Sequence, residues 1–127
     1  MHLRLAPVWW GIGALMVVAD IVLSLAPPGE GPALLPDKLV HFMTYFLLGF
    51  WFVSLAAPWR SAALAGVILL GGALELLQGF TPARQPEMLD MLANTSGALL
   101  AFVIVALFSV NAFAFVERRI FGPSHET

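Results

Sequence analysis

The sequence predicts an all-α membrane protein, a four-transmembrane-helix bundle. Hydrophobic residues make up 60% of its 127 residues and charged residues only 11%, and its mean hydropathy is +0.89. An ordinary soluble domain carries about 25% charged residues, and a soluble protein of this size could not bury so much apolar surface. Because the bilayer core offers no water to unpaired backbone groups, helices are the spanning form that fits such a chain.

Four apolar stretches are long enough to cross the hydrocarbon core, which takes about 20 residues. Segments that contain proline or glycine, which interrupt helices, separate them. The expected spans cover residues 8–26, 39–57, 61–80 and 89–116 of a single membrane domain, 1–127. A cleavable signal peptide is the alternative interpretation of the first stretch, although Asp20 is unusual in a disposable apolar core.

The placement of lysine and arginine predicts the orientation, because cytoplasmic loops carry the excess of basic residues. The N-terminus, the second loop and the C-terminal segment share one side of a four-span protein, with Arg4, Arg60, Arg118 and Arg119. The first and third loops share the other side, with Lys38 and Arg84. We therefore expect both termini in the cytoplasm and the first and third loops outside.

Composition also excludes several functional classes. With six basic residues and a net charge of −2, the chain is not expected to bind nucleic acid. It has no cysteine, which excludes disulfides and thiol chemistry. No recognised ligand spacing such as H-E-x-x-H occurs, so we assign no metal ligand and expect no cofactor.

Polar residues gather at the outer ends of three spans, and ionisable residues within spans usually mark function. Asp37, His41 and Tyr45 follow one another at helical spacing on one stripe. The third span ends, and the fourth begins, with further polar residues at similar depth. The predicted site comprises Asp37, Lys38, His41, Tyr45, Glu75, Gln78, Arg84, Asp90 and Asn94.

Local roles can account for several of these residues one at a time. Asp37 and Asp90 lie near helix starts, where a carboxylate caps free N–H groups. Gln78 and Asn94 are of the type that forms hydrogen bonds between membrane helices. Glu75 has no such explanation, because it lies among apolar residues near the end of a span. The clustering of all of them favours a shared functional site.

This ordered set of residues resembles the VanZ-like family over about residues 24–102. The resemblance implies a small multi-span protein of the bacterial inner (cytoplasmic) membrane. The family is named for an accessory protein of teicoplanin resistance, but one named member does not define the function of this chain. The motifs are D-K-x-x-H-F at Asp37–Phe42, E-x-x-Q at Glu75–Gln78, the loop residue Arg84, and D-x-x-x-N-x-x-G at Asp90–Gly97.

The residues support three hypotheses and do not decide whether the protein is an enzyme or an oligomer. The first is an accessory protein that binds membrane lipids, through the polar group of an envelope lipid or glycolipid or of a cell-wall precursor. Lys38 and Arg84 would then bind phosphate or carboxylate. The second is a membrane-surface hydrolase in which His41, Glu75 and Asp90 perform acid–base catalysis, with or without a metal ion. The third is a structural scaffold.

Overall fold

The computed structural model describes residues 3–108 and 111–122, and in these ranges its regular structure is helical. Four helices are long and apolar enough to cross a membrane, which confirms the predicted fold class. The predicted orientation of the termini stays a prediction. The helices are α1 (Ala6–Leu25), α2 (Asp37–Leu55), α3 (Arg60–Gln78), α4 (Met88–Phe108) and α5 (Ala112–Phe121).

The first two breaks between helices follow from local sequence. Helix α1 ends before Pro27 and Pro28, because proline restricts the residue before it and cannot donate to the preceding turn. A 3₁₀ turn, Ala57–Trp59, joins α2 to α3 in a tight hairpin. The longer first loop lets α1 lie beside α2 with its polar end near the start of α2.

Helices α2 and α4 form the most extensive contact in the bundle. The contact is close because each of the two helices has a glycine that faces the backbone of the other. A Cβ atom on Gly97 would collide with the carbonyl oxygen of Phe42, and one on Gly49 would lie 3.1 Å from the Cα of Ala98. Small residues that let backbones approach are the usual basis of helix association in membranes. This contact sets the distance between the polar residues of α2 and α4.

The predicted fourth span, residues 89–116, is too long at its C-terminal end, because Asn111 is not helical and a separate helix follows it. Helix α4 ends at Phe108, residues 109 and 110 lie outside the described residues, and α5 begins at Ala112. The Asn111 side chain accepts a hydrogen bond of 3.0 Å from the N–H of Ala114 and so caps the new helix. Hydropathy misses this break because the residues that follow the cap are mostly apolar.

Helix α5 folds back onto the start of α1, at the end of the bundle opposite the polar site. The buried Glu117 carboxylate accepts hydrogen bonds from the backbone N–H groups of Arg4 (2.7 Å) and Leu5 (2.9 Å) and from Trp9 Nε1 (2.8 Å). The N-terminal residues of α1 have no side-chain cap of their own. Glu117 therefore satisfies free donors of α1 from another helix.

The protonation of Glu117 should affect stability in acid. Burial alone would raise the pKa of this carboxyl, but the donors of Leu5, Trp9 and Arg4 favour the ionised form and hold the pKa below its ordinary value of 4.5. A lowered folded-state pKa contributes stability above pH 4.5 that is lost as the pH falls through the folded-state value. We expect Glu117→Gln to lower the melting temperature at pH 7. The difference from the parent should shrink steadily below pH 4.5, as followed by circular dichroism in detergent. A difference independent of pH would contradict this account.

Helix α1 is otherwise held loosely, since Gly13 and Asp20 are its only buried residues. At its polar end, Gln78 Nε2 donates to the carbonyl of Ser24 (2.9 Å) and Arg84 Nε donates to the carbonyl of Ala26 (3.1 Å). Polar contacts at both ends thus fix α1 beside α2 and leave an opening between them.

Candidate functional site

A cleft with a volume of about 340 Å³ lies between α1 and α2 at the polar end of the bundle. One wall is apolar and faces the lipid region, since Leu23 and Leu47 line the cleft and are 69% and 54% exposed. The cleft is therefore accessible from the side, where the lipid lies. Its polar lining consists of Asp20, Ser24, Asp37, His41, Thr44, Tyr45, Gln78 and Arg84.

Asp20 is the polar residue that lies deepest along α1 in this lining. Its carboxylate accepts hydrogen bonds from Tyr45 Oη (2.9 Å) and from Ser24 Oγ (3.3 Å), and the residue is 9% exposed. Tyr45 is buried, so its hydroxyl is directed at Asp20 from the core of the bundle. Among the described residues, no lysine, arginine or histidine lies within 4 Å of the Asp20 carboxylate. The cleft thus contains a buried acid that is hydrogen-bonded but not neutralised by a cation.

Lys38 is surrounded by carboxylates at the start of α2. Its ammonium contacts Asp90, lies 2.6 Å from Glu87 Oε2 and lies 3.5 Å from Asp37 Oδ2. The Asp90 side chain is buried, whereas those of Asp37 and Glu87 are more than half exposed. The charge of Lys38 is therefore already matched within the protein, which argues against its expected role in binding phosphate.

His41 connects this ion-pair cluster to the cleft. Its Nδ1 lies 2.9 Å from Asn94 Oδ1, which ties α2 to α4. Its Nε2 lies 3.6 Å from Asp90 Oδ2 and 3.8 Å from Asp37 Oδ1. One edge of the ring is thus used for helix contact, and the other faces two acids beside the cleft.

Three of these groups form a donor set that could hold a metal ion. Ligand atoms of Asp37, His41 and Asp90 lie within 4.8 Å of one another. However, the Lys38 ammonium already contacts both carboxylates and supplies positive charge at this point. The set also differs from the one considered from sequence, because Glu75 is not part of it.

Glu75 is almost fully buried, with 2% of its surface exposed. Its Oε1 accepts a hydrogen bond of 2.5 Å from the backbone N–H of Glu87, which immediately precedes α4. Glu75 therefore holds the third loop against α3 and positions the side chain of Glu87 beside Lys38. Glu75 therefore supports the site by holding the third loop in place.

Arg84 reaches the cleft from the third loop. Its Nε donates to the carbonyl of Ala26, and its guanidinium lines the cleft together with Gln78. Among the described residues, Arg84 takes part in no salt bridge, whereas Lys38 takes part in three. Within the part of the chain that the structure describes, Arg84 thus differs from Lys38 in having no carboxylate partner.

The predicted site residues occupy three positions around one end of the bundle. Five line the cleft, three lie beside it and contact one another or His41, and Glu75 contacts the third loop. The nine predicted site residues do not include Asp20, Ser24, Thr44 or Glu87. A signal for Asp20 was present, since an acid within an apolar span calls for a partner. A signal for Glu87 was also present, since this charged residue lies in the loop between the polar ends of two spans, whereas Ser24 and Thr44 carry no comparable signal. The cleft residues are Asp37, His41, Tyr45, Gln78 and Arg84, and the cluster residues are Lys38, Asp90 and Asn94.

Comparison with known proteins identifies the family. The model of the VanZ/LLP1 family matches residues 9–109. No curated protein matches the chain significantly, and neither does any solved structure. The matched region covers most of the chain and contains every predicted site residue and the cleft residue Asp20. This multi-pass membrane protein therefore belongs to the VanZ/LLP1 family.

Proposed function

We propose that the cleft binds the polar group of an envelope lipid or of a lipid-linked cell-wall precursor. The protein would then act as an accessory factor in envelope homeostasis, at the outer face of the bacterial inner membrane. The observation that carries this proposal is the combination of a polar inner lining with an apolar wall that faces lipid. An amphiphile already in the bilayer can enter such a cleft from the side and place its head group among the polar residues.

Charge in the cleft favours an anionic group on the ligand. Among the described residues, the guanidinium of Arg84 has no carboxylate partner. A guanidinium binds phosphate and carboxylate through two parallel hydrogen bonds. The Nε of Arg84 is held by Ala26, which orients the rest of the group. Gln78, His41 and Asp20 can bind the hydroxyl, amide or amine groups that accompany phosphate in such head groups.

Contacts within the site favour binding over the hydrolase alternative. Catalysis by His41, Glu75 and Asp90 requires these groups to act on one substrate. Glu75 instead accepts from the backbone of Glu87, and Asp90 is paired with Lys38. Two of the three groups thus make structural contacts within the protein. This supports ligand binding over hydrolysis.

The test is retention of a bound amphiphile by the purified protein. We expect native mass spectrometry, after extraction in mild detergent with bacterial inner-membrane lipids, to show a bound species with phosphate or carboxylate. Arg84→Gln should reduce its occupancy about tenfold or more, because a hydrogen bond to a charged group contributes about 1.5–3 kcal/mol. Arg84→Lys should retain part of it, since the charge remains.

The matched control is Arg60→Gln, which makes the same change at the other end of α3. It should leave the bound species unchanged. Circular dichroism checks that each variant keeps its helix content. Equal occupancy in the parent and in folded Arg84→Gln protein would exclude the proposed role of Arg84 and, with it, the anion site.

A further inference from the structure

A second surface with a distinct chemistry lies at the opposite end of the bundle, on α5. The helix buries Phe113, Ala114 and Glu117 against the rest of the protein. The remaining large side chains are exposed, including Phe115 at 55% and Ile120 at 60%. Basic and apolar residues therefore share the outer side of one short helix. The α5 arginine surface consists of Arg4, Phe115, Arg118, Arg119, Ile120 and Phe121.

The arginines of this surface are not neutralised by acids of the described residues. The nearest carboxylate in sequence, Glu117, is turned inward and accepts three N–H groups at the start of α1. None of the described salt bridges involves Arg4, Arg118 or Arg119. Because Glu117 points inward, the outer side of α5 keeps the positive charge of its arginines.

Aromatic rings hold two of these guanidinium groups in place. The Cζ of Arg4 lies 5.5 Å from the centre of the Phe121 ring, and the Cζ of Arg119 lies 5.4 Å from that of Phe115. Cation–π contacts of this kind leave the N–H groups free to bind an anion. The contacts of Glu117 fix α5 against α1, so the arginines are displayed from a rigid base.

The position of α5 places this surface at the membrane boundary. Helix α4 ends at Phe108 and α5 begins at Ala112, only a few residues beyond the end of a span. Basic residues beside exposed apolar ones are typical of helices that lie in the interface and contact anionic lipids. Charge and apolar character therefore both match a phospholipid surface, whereas a soluble acidic partner would leave the apolar side chains without a role.

We propose that the α5 arginine surface binds anionic phospholipids, whose phosphate charge is not neutralised by a cation on the head group as it is in phosphatidylcholine. This site is separate from the cleft. The Trp9 and Ser24 ends of α1 are about 22 Å apart at 1.5 Å per residue. Its ligand belongs to the surrounding bilayer and does not depend on the proposed ligand of the cleft.

The experiment measures which lipids surround α5 in the full-length protein. Because the chain has no cysteine, Ile120→Cys gives one site for a fluorophore on the α5 arginine surface. The labelled protein is placed in nanodiscs of phosphatidylglycerol and phosphatidylcholine, with bromine on the acyl chains of one lipid at a time. We expect brominated phosphatidylglycerol to quench more strongly than its bulk fraction predicts. Each arginine should contribute about fivefold to the enrichment, which corresponds to about 1 kcal/mol.

Charge variants identify the groups responsible. The double variant Arg118→Gln/Arg119→Gln should lose most of the enrichment, and Arg118→Lys/Arg119→Lys should keep it because the charge is unchanged. Arg119→Gln alone serves as a second test, since the Arg119 guanidinium contacts the Phe115 ring and has no salt bridge among the described residues, so its loss should not unfold α5. Equal quenching by the two lipids in the parent, or enrichment that persists in folded glutamine variants, would overturn the proposal.

Discussion

Gly97→Ala should destabilise the bundle by about 3 kcal/mol or more, at the upper end of the usual cost of overpacking. The new Cβ would collide with the carbonyl oxygen of Phe42 and approach the backbone N of Phe46 to 2.9 Å. Backbone atoms inside a helix cannot move aside as a flexible side chain can. Helices α2 and α4 must therefore separate, which also moves Asn94 away from His41. Thermal or sodium dodecyl sulfate titration, followed by circular dichroism, measures the loss.

Gly66→Ala is the matched control for this variant. It makes the same substitution within a spanning helix, but among the described residues no atom beyond its chain neighbours and the nearby backbone of its own helix lies within 4 Å of the added Cβ. Alanine is the better helix former, so Gly66→Ala should be neutral or stabilise by up to about 1 kcal/mol. Equal effects of the two substitutions would show that the loss of stability comes from replacing any helical glycine, and not from the α2–α4 contact.

Loss of His41 should strongly weaken ligand binding while the bundle stays folded. Asparagine at position 41 can approximate the Nδ1 position that faces Asn94, but it removes the Nε2 edge near Asp37 and Asp90. Polar contacts between membrane helices average only about 0.6 kcal/mol, so stability should change little. We expect His41→Asn to reduce the occupancy of the cleft ligand at least about tenfold, the effect of losing one hydrogen bond to a charged group.

A second substitution at the same position separates the two edges of the ring. His41→Gln can reach toward the former Nε2 position and loses the contact with Asn94, so it should retain more ligand than His41→Asn. The readout is the same mass spectrometric occupancy, beside melting temperature for each variant. Full occupancy in both folded variants would assign His41 to helix packing alone.

Hydropathy and helical spacing were sufficient to predict the four spans and the end of the bundle where polar residues gather. These signals are local, because each span must be apolar along its own length and each polar stripe must face inward. The break before α5 escaped prediction because one capping residue, Asn111, lowers the average hydropathy of a long apolar stretch too little to show where the helix ends.

The partners of individual charges could not be predicted in the same way. Lys38 and Arg84 both looked available for an anion, yet the three carboxylates around Lys38 come from α2, the third loop and α4. That difference depends on how separate helices meet, which spacing along one helix does not encode. Asp20 shows the same limit, since its place in the cleft follows from the docking of α1 against Tyr45.

The contact between Glu117 and the start of α1 has a consequence for biogenesis. Arg4 and Glu117 are separated by 113 positions in the chain, yet they are hydrogen-bonded. During synthesis, α1 enters the membrane well before α5 has left the ribosome, so its first turn waits without its acceptor until the remaining spans are made. Maturation of the cleft, which α1 helps to form, is thereby tied to completion of α5. A premature stop before Glu117 would leave four inserted spans whose first helix lacks these three hydrogen bonds at its start.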